Sequence, residues 1–203
     1  MYAVVENNNI TQFINYPKSI VIADVRYPAK IFTMWSQAEK EAIGIYEVIT
    51  DSTNYKDPAY YNNTNEQYTF ANGQVTKSWG TATAKRLEDE NAVDEDGNPI
   101  LEDGVQVINY GLKTEKKRIV KQQASGLLAP TDWYVVKATE VADYDIPANI
   151  LSFRADVRTK SNEMETMINN CTTVDELKAL YEYTEQQDGT FTRPLPEFPK
   201  EVI

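Results

Sequence analysis

The chain has no histidine, a single cysteine and no apolar run approaching the roughly 18 residues that cross a bilayer. Each absence removes a class of chemistry. Without imidazole there is no Ser-His-Asp or Cys-His nucleophile, no histidine metal ligand and no ordinary side chain that titrates near neutrality. Cys171 alone makes neither an intramolecular disulfide nor a cysteine-rich zinc site. Beside Asn170 and Thr172, it reads as a small, half-buried residue and not as a nucleophile. Neither GxGxxG nor GxxxxGK[ST] occurs, so no phosphate loop and no cofactor is expected. The start, Met1-Tyr2-Ala3-Val4-Val5-Glu6, is not a basic region leading into an apolar one, so it gives a cleaved secretion signal no support, and no membrane association is expected.

Basic charge is also short. Against 31 Asp and Glu stand 20 Lys and Arg, a net −11 that repels phosphate backbones and argues against nucleic acid as a partner. What is abundant is aromatic: 13 Tyr and 3 Trp, flat rings with polar edges that suit protein interfaces and sugar stacking. The expected partners are therefore proteins or neutral sugars. Trp35, Trp79 and Trp133 are each expected in a core. Tyr55, Tyr60 and Tyr61 fall in a Tyr- and Asn-dense stretch, 55–65, that reads as a loop presenting an exposed contact surface.

At 203 residues with 41% apolar content, the chain can bury a core as one large domain or two small ones. Its texture predicts an α+β protein: a β-rich module over 1–86 with one short helix and a hairpin, an acidic hairpin or linker over 87–111, a helical module over 112–185, and a proline-rich extended tail over 186–203. Ser36 three residues before Glu39 is a capping box that opens the short helix, with Gly44 closing it. Asn72-Gly73 between 67–70 and 74–76 supplies the positive φ angles of a tight type I′ hairpin.

Eight carboxylates and no basic residue lie between Glu88 and Asp103. Asp94-Glu95-Asp96-Gly97-Asn98 resembles a calcium loop only superficially, since Pro99 and Val105 occupy the two diagnostic positions, and a solvated turn is the better reading. The lysine-rich stretch 113–121 reads as a helix that packs on this acidic segment, ended by Ser125-Gly126. A turn-rich 127–133 follows. A long helix is then predicted from an Asp145 N-cap to about Asn169, with Ile150, Phe153, Val157, Met164 and Ile168 on one face. Thr173 with Glu176 caps a last helix, and Pro194, Pro196 and Pro199 make the tail extended. Paired carboxylates suffice for glycoside hydrolysis, but no spacing singles out a pair and a solvated acidic turn leaves pKa values near normal; the reading is not an enzyme, with no catalytic and no metal-ligating residues.

Two stretches carry a family resemblance. Leu127-Leu128-Ala129-Pro130-Thr131-Asp132-Trp133, followed after a spacer by Phe153-Arg154-Ala155-Asp156-Val157-Arg158, resembles the C-terminal signature of tailed-phage tail-fibre assembly proteins, in which an LLA-x-[ST]-D-W turn precedes a helix bearing an aromatic-Arg-x-x-Leu-Arg motif. Here Val157 replaces the leucine, and the spacer keeps only Pro147 of the usual prolines. The stretch 27–35, continuing through Glu39 to 42–48, is similar to an N-terminal module found with that signature in environmental phages. The resemblance implies a non-catalytic chaperone that binds a tail fibre or another tail protein in the bacterial host cytoplasm during phage assembly and assists its folding or trimerisation. The alternative is a structural component of the virion tail, such as a fibre-tip, baseplate or tail adaptor, that contacts host glycan through the Tyr-rich loop. Leu127, Leu128 and Trp133 are then candidate partner anchors or, alternatively, members of a core with Phe153. Arg154 and Arg158 are candidate partner contacts or, equally, internal salt-bridge partners that lock the preceding loop to the helix.

Overall fold

A computed structural model describes residues 1–200. Internal contacts divide the α+β chain into two units, Met1–Ala84 and Lys85–Ile203. The acidic segment and the proline-rich tail therefore belong with the helices and do not stand apart as a linker and an appendage.

The first unit contains β1 (Tyr2–Glu6), β2 (Asn9–Ile14), β3 (Ile20–Ile22), β4 (Val25–Tyr27), α1 (Ile31–Met34), α2 (Gln37–Glu41), β5 (Ile45–Thr50), β6 (Tyr61–Asn62), β7 (Gln67–Ala71), β8 (Gln74–Ser78) and β9 (Thr83–Ala84). Five strands form one sheet in the order β2-β1-β5-β8-β7, antiparallel except for the β5–β8 pair. Strand β1 has apolar residues at consecutive positions because both its faces are covered. Val4 packs with Ile14, Ile20, Ile22, Ile31, Phe32 and Ile45, while Ala3 and Val5 face the other way and pack with Val75. The Ser36–Glu39 capping box forms as the spacing predicts: the Glu39 carboxylate accepts the Ser36 N–H at 2.8 Å and Ser36 Oγ accepts the Glu39 N–H at 3.3 Å. Gly44, at φ +81°, passes so close to β1 that a Cβ there would lie 2.6 Å from the Val5 carbonyl oxygen.

Asn72-Gly73 adopts positive φ and joins β7 to β8 in register. Two further hairpins use the same geometry without glycine: Asn7-Asn8 between β1 and β2, and Ala23-Asp24 between β3 and β4. Ala23 sits at φ +46°, where its Cβ crowds the following carbonyl at a cost of roughly 1–2 kcal/mol. Ala23→Gly is expected to stabilise this unit by about 0.5–1 kcal/mol, read as a higher denaturant midpoint with an unchanged slope.

The second unit contains β10 (Glu90–Asn91), β11 (Leu101–Glu102), β12 (Val105–Gln106), β13 (Ile108–Asn109), α3 (Leu112–Leu128), α4 (Asp132–Glu140), α5 (Ala148–Asn170), α6 (Val174–Ala179), β14 (Thr184–Glu185) and β15 (Phe191–Thr192). Helix α3 runs through Ser125-Gly126, which does not end it, and one 3-10 turn, Ala129–Thr131, leads directly into α4. The expected turn 127–133 is thus an elbow between helices. Helix α5 begins after Pro147, which is itself the N-cap at ψ 136°, and not at an Asp145 cap, because a proline disfavours the helical region for the residue before it, Ile146. Its seam is the one the spacing predicts, with Ile150, Phe153, Val157, Met164 and Ile168 all buried. Helices α3 and α5 lie antiparallel: Lys117 Nζ meets Asn169 Oδ1 at 2.9 Å and Lys121 Nζ meets Glu165 Oε2 at 3.3 Å.

The tail is docked and not simply extended. Strands β14 and β15 pair, Leu195 is 2% exposed with its N–H bonded to the Leu180 carbonyl, and Phe198 packs on the Ala124–Phe153–Val157 cluster with Leu127 and Leu128. The expectation for 201–203 lies outside the described residues.

The acidic segment meets the lysine-rich helix through its first two carboxylates. Glu88 pairs with Lys113. Asp89 accepts the Gly111 N–H at 2.7 Å and the Thr114 hydroxyl at 2.9 Å, which holds its carboxyl below the ordinary 3.8. Asp94 is engaged by its own turn, chiefly by Asn98, and Glu176 by Thr172 at the head of α6; both are likewise lowered. Each group contributes stability that is complete above its unfolded value, 3.8 for Asp and 4.5 for Glu, and that is lost as pH falls through the lower folded value. With no histidine, the denaturation midpoint is expected to stay flat between about pH 6 and 8 and to fall only in the acid limb. A midpoint that moves appreciably near neutrality contradicts this.

Candidate functional site

The two stretches that carry the resemblance meet at one side chain. Arg154, on the buried side of α5 and 7% exposed, reaches the α3–α4 elbow. Its Nη1 donates to Thr131 Oγ1 at 2.5 Å and to the Leu128 carbonyl at 3.1 Å, and its Nη2 pairs with Asp132 Oδ1 at 2.8 Å. Thr131, fully buried, donates its own hydroxyl proton to the same Leu128 carbonyl at 2.7 Å. The arrangement is chemically complete. A hydroxyl gives one proton and accepts another, a carbonyl at the end of α3 accepts two donors, and a cation sits where the helix dipole is negative. Of the two readings of Arg154, internal lock and partner contact, the geometry is that of the lock.

Arg158, one turn on, is exposed and forms no ion pair among the described residues; its Nη1 donates only to the Arg154 carbonyl, at 3.2 Å. Leu127 and Leu128 are half-buried, packed beside the Ala124–Phe153–Val157 cluster. Trp133 lies outside any core, 51% exposed, with its ring stacked on Tyr134 at a centroid distance of 3.8 Å. Core placement was also expected of Trp35 and Trp79; both are half-buried, and Trp35 lines the first unit's core.

Tyr60 and Tyr61 require a correction. They are 5% and 4% exposed and present no contact surface. Tyr61 pairs with Ala84 across β6 and β9, closing the loop, and the Lys56 ammonium covers its ring at 4.3 Å. Tyr55 remains 44% exposed, against Trp79. The candidates that share a neighbourhood are Leu127, Leu128, Trp133, Arg154 and Arg158, all in the second unit.

Sequence reasoning missed α4 as an element. It has no buried residue, and it carries Trp133, Val135 and Val136 exposed, with Val141 just beyond its end and Leu151 exposed on α5. The only advance signal was the apolar run Trp133 to Val136 directly after Asp132, a first-turn acid favourable to a helix N-terminus. Lys137 lies over the rings of Trp133 and Tyr144, at 5.7 and 4.2 Å. Beside the elbow, an open groove of about 420 Å³ runs between α3 and α5, lined by Lys121, Ser125, Leu128, Arg154 and Arg158 among others.

Among the described residues, no three His, Cys, Asp or Glu side chains cluster so as to hold a metal ion. Burial pushes the Cys171 thiol up, away from nucleophilic reactivity. No helix among the described residues is long and apolar enough to cross a membrane. Comparison with protein-family models, with curated proteins and with solved structures finds no match to this chain.

Proposed function

We propose that this chain is a non-catalytic tail-fibre assembly chaperone, acting in the bacterial host cytoplasm during phage assembly and binding a fibre or other tail protein through α4. The observation that carries the reading is a helix with an apolar surface and no buried residue, fastened at its root by a buried arginine. Only Tyr134, Lys137 and Ala138, spaced three and four apart, are half-buried, so α4 rests on a thin face and leaves its apolar Trp133 and Val136 to solvent. Trp133 and Val136, three residues apart, are on one side of the helix, and both are about half exposed. Aromatic anchors presented on a preorganised element lose little freedom on binding, which favours them as interface hot spots. Nascent fibre chains expose apolar surface and unpaired strand edges, the kind of surface such a helix covers.

Co-expression with the tail fibre of the same phage is expected to raise the yield of soluble fibre trimer, and quantitative mass spectrometry of purified virions is expected to find the chain absent. Its presence there in stoichiometric amount would instead make it a structural component of the tail. With Tyr60 and Tyr61 buried, Tyr55 is the one tyrosine of that loop left exposed for glycan contact, a smaller platform than the sequence suggested.

A further inference from the structure

We infer that the groove between α3 and α5 captures an acidic, apolar-flanked peptide segment of the partner, with Arg158 as the carboxylate-binding residue. This rests on the partner-binding reading above and names the chemistry of what is bound.

The charge is the first reason. In a chain of net −11, this groove is lined by three cations, Lys121, Arg154 and Arg158, and one carboxylate, Asp132. Asp132 and Arg154 neutralise each other at 2.8 Å, which leaves Lys121 and Arg158 facing the groove. Lys121 leans on Glu165 at 3.3 Å, but its side chain is 67% exposed, so the pair is screened by solvent and weak. Arg158 has no carboxylate partner among the described residues and gives one N–H to a helix carbonyl, so the rest of its donor fork is open. A chain of net −11 repels acidic segments on the whole, so a local reversal of sign such as this groove is where a carboxylate is accommodated.

The second reason is shape. Lys121, Ser125 and Leu128 form one stripe of α3, and Arg154, Arg158, Ser161 and Asn162 form one stripe of α5, so the floor combines the aliphatic Ala124 and Leu128 with neutral hydroxyl and amide edges. From Lys121 to Leu128 the groove spans about 10 Å, the length of about three extended residues. Asp132 lines its end, and the next residue is the exposed Trp133. A peptide that places a carboxylate on Arg158 and an apolar side chain on Leu128 thus continues onto the α4 surface. A free inorganic anion would use the charge and leave the apolar floor idle.

Panning a random dodecapeptide library on the full chain, then measuring the most enriched peptide, fluorescein-labelled, by anisotropy, tests this without any fibre present. The expected result is enrichment of Asp or Glu next to Leu, Phe or Trp, affinity falling about tenfold or more in Arg158→Glu and less in Arg158→Lys, and weakening with salt. Because Arg158 is exposed and bonded only to a helix carbonyl, both variants are expected to keep the wild-type denaturation midpoint; Arg158→Ala serves if Glu does not fold. No enrichment, enriched peptides without a carboxylate, equal binding by Arg158→Glu, or equally strong competition by inorganic phosphate alone each overturns the inference. A failed fibre co-expression with a positive peptide result would reject the chaperone reading and leave the groove assignment standing.

Discussion

Arg154→Met is expected to cost the second unit about 2–4 kcal/mol, read as a lower denaturant midpoint. Methionine keeps the aliphatic stem packed but removes every polar contact of the guanidinium. The loss falls on buried groups: Thr131 Oγ1 loses the donor it accepts from, and the Leu128 carbonyl is left with Thr131 alone. Charge-assisted hydrogen bonds to such groups contribute roughly 1.5–3 kcal/mol each, and part of the loss is recovered by burying methionine. The ion pair itself is the smaller share, because the Asp132 side chain is 61% exposed and resolvates readily. Asp132→Asn is accordingly expected to cost under about 1 kcal/mol. Equal effects of the two substitutions would move the weight from the buried hydrogen bonds to the salt bridge. Hydrogen exchange in α4 is expected to accelerate in Arg154→Met, since the elbow is what fastens that helix.

Gly111→Ala is expected to be worse, about 3 kcal/mol or more. The reason is not conformational, as Gly111 has an ordinary φ of −87°. Its Cα faces the backbone of the acidic segment: a Cβ would stand 2.5 Å from the Leu87 carbonyl oxygen and far inside contact with the carbonyl of Glu88. Neither strand of chain can yield. The Leu112 N–H bonds to the Arg86 carbonyl at 2.9 Å, the Lys113 N–H to Leu87 at 3.1 Å, and the Gly111 N–H to Asp89 at 2.7 Å. Gly126 provides the contrast, because a Cβ there meets nothing within 4 Å and the residue is inside α3. Gly126→Ala is expected to stabilise by up to about 1 kcal/mol through helix propensity alone. The opposite signs at the N-cap glycine and the interior glycine of α3 separate close approach from backbone entropy.

What was legible in the sequence was local. The capping boxes at Ser36 and Thr173 and the Asn72-Gly73 turn rest on contacts within four residues, and all three form. The α5 seam was legible because its period alone marks the buried face. Asp103-Gly104 adopts the same positive φ pair between β11 and β12, a signal present but overlooked inside the acidic stretch. Features set by distant partners were not legible. The burial of Tyr60 and Tyr61 depends on a pairing between residues 61 and 84, and the persistence of α3 through Gly126 on its packing against α5. Helix α4 escaped because its inner face, Tyr134, Lys137 and Ala138, is only half-buried and carries a lysine, so no hydrophobic period marks it. In the site, Arg154 as a lock was one of two open readings; the cationic groove required the antiparallel register that brings Lys121 and Arg158 to the same opening.

The central claim is that α4 is a partner-binding surface, and Trp133→Asp measured in fibre co-expression tests it most directly. Being half exposed, Trp133 is expected to be replaceable within about 0.5 kcal/mol of stability, so the variant keeps the wild-type midpoint. The predicted result is loss of most of the soluble fibre trimer that the wild-type chain supports, with a fall of about thirtyfold or more in affinity for the fibre. A Trp133→Asp chain that folds normally and supports the trimer as well as the wild type would contradict the account.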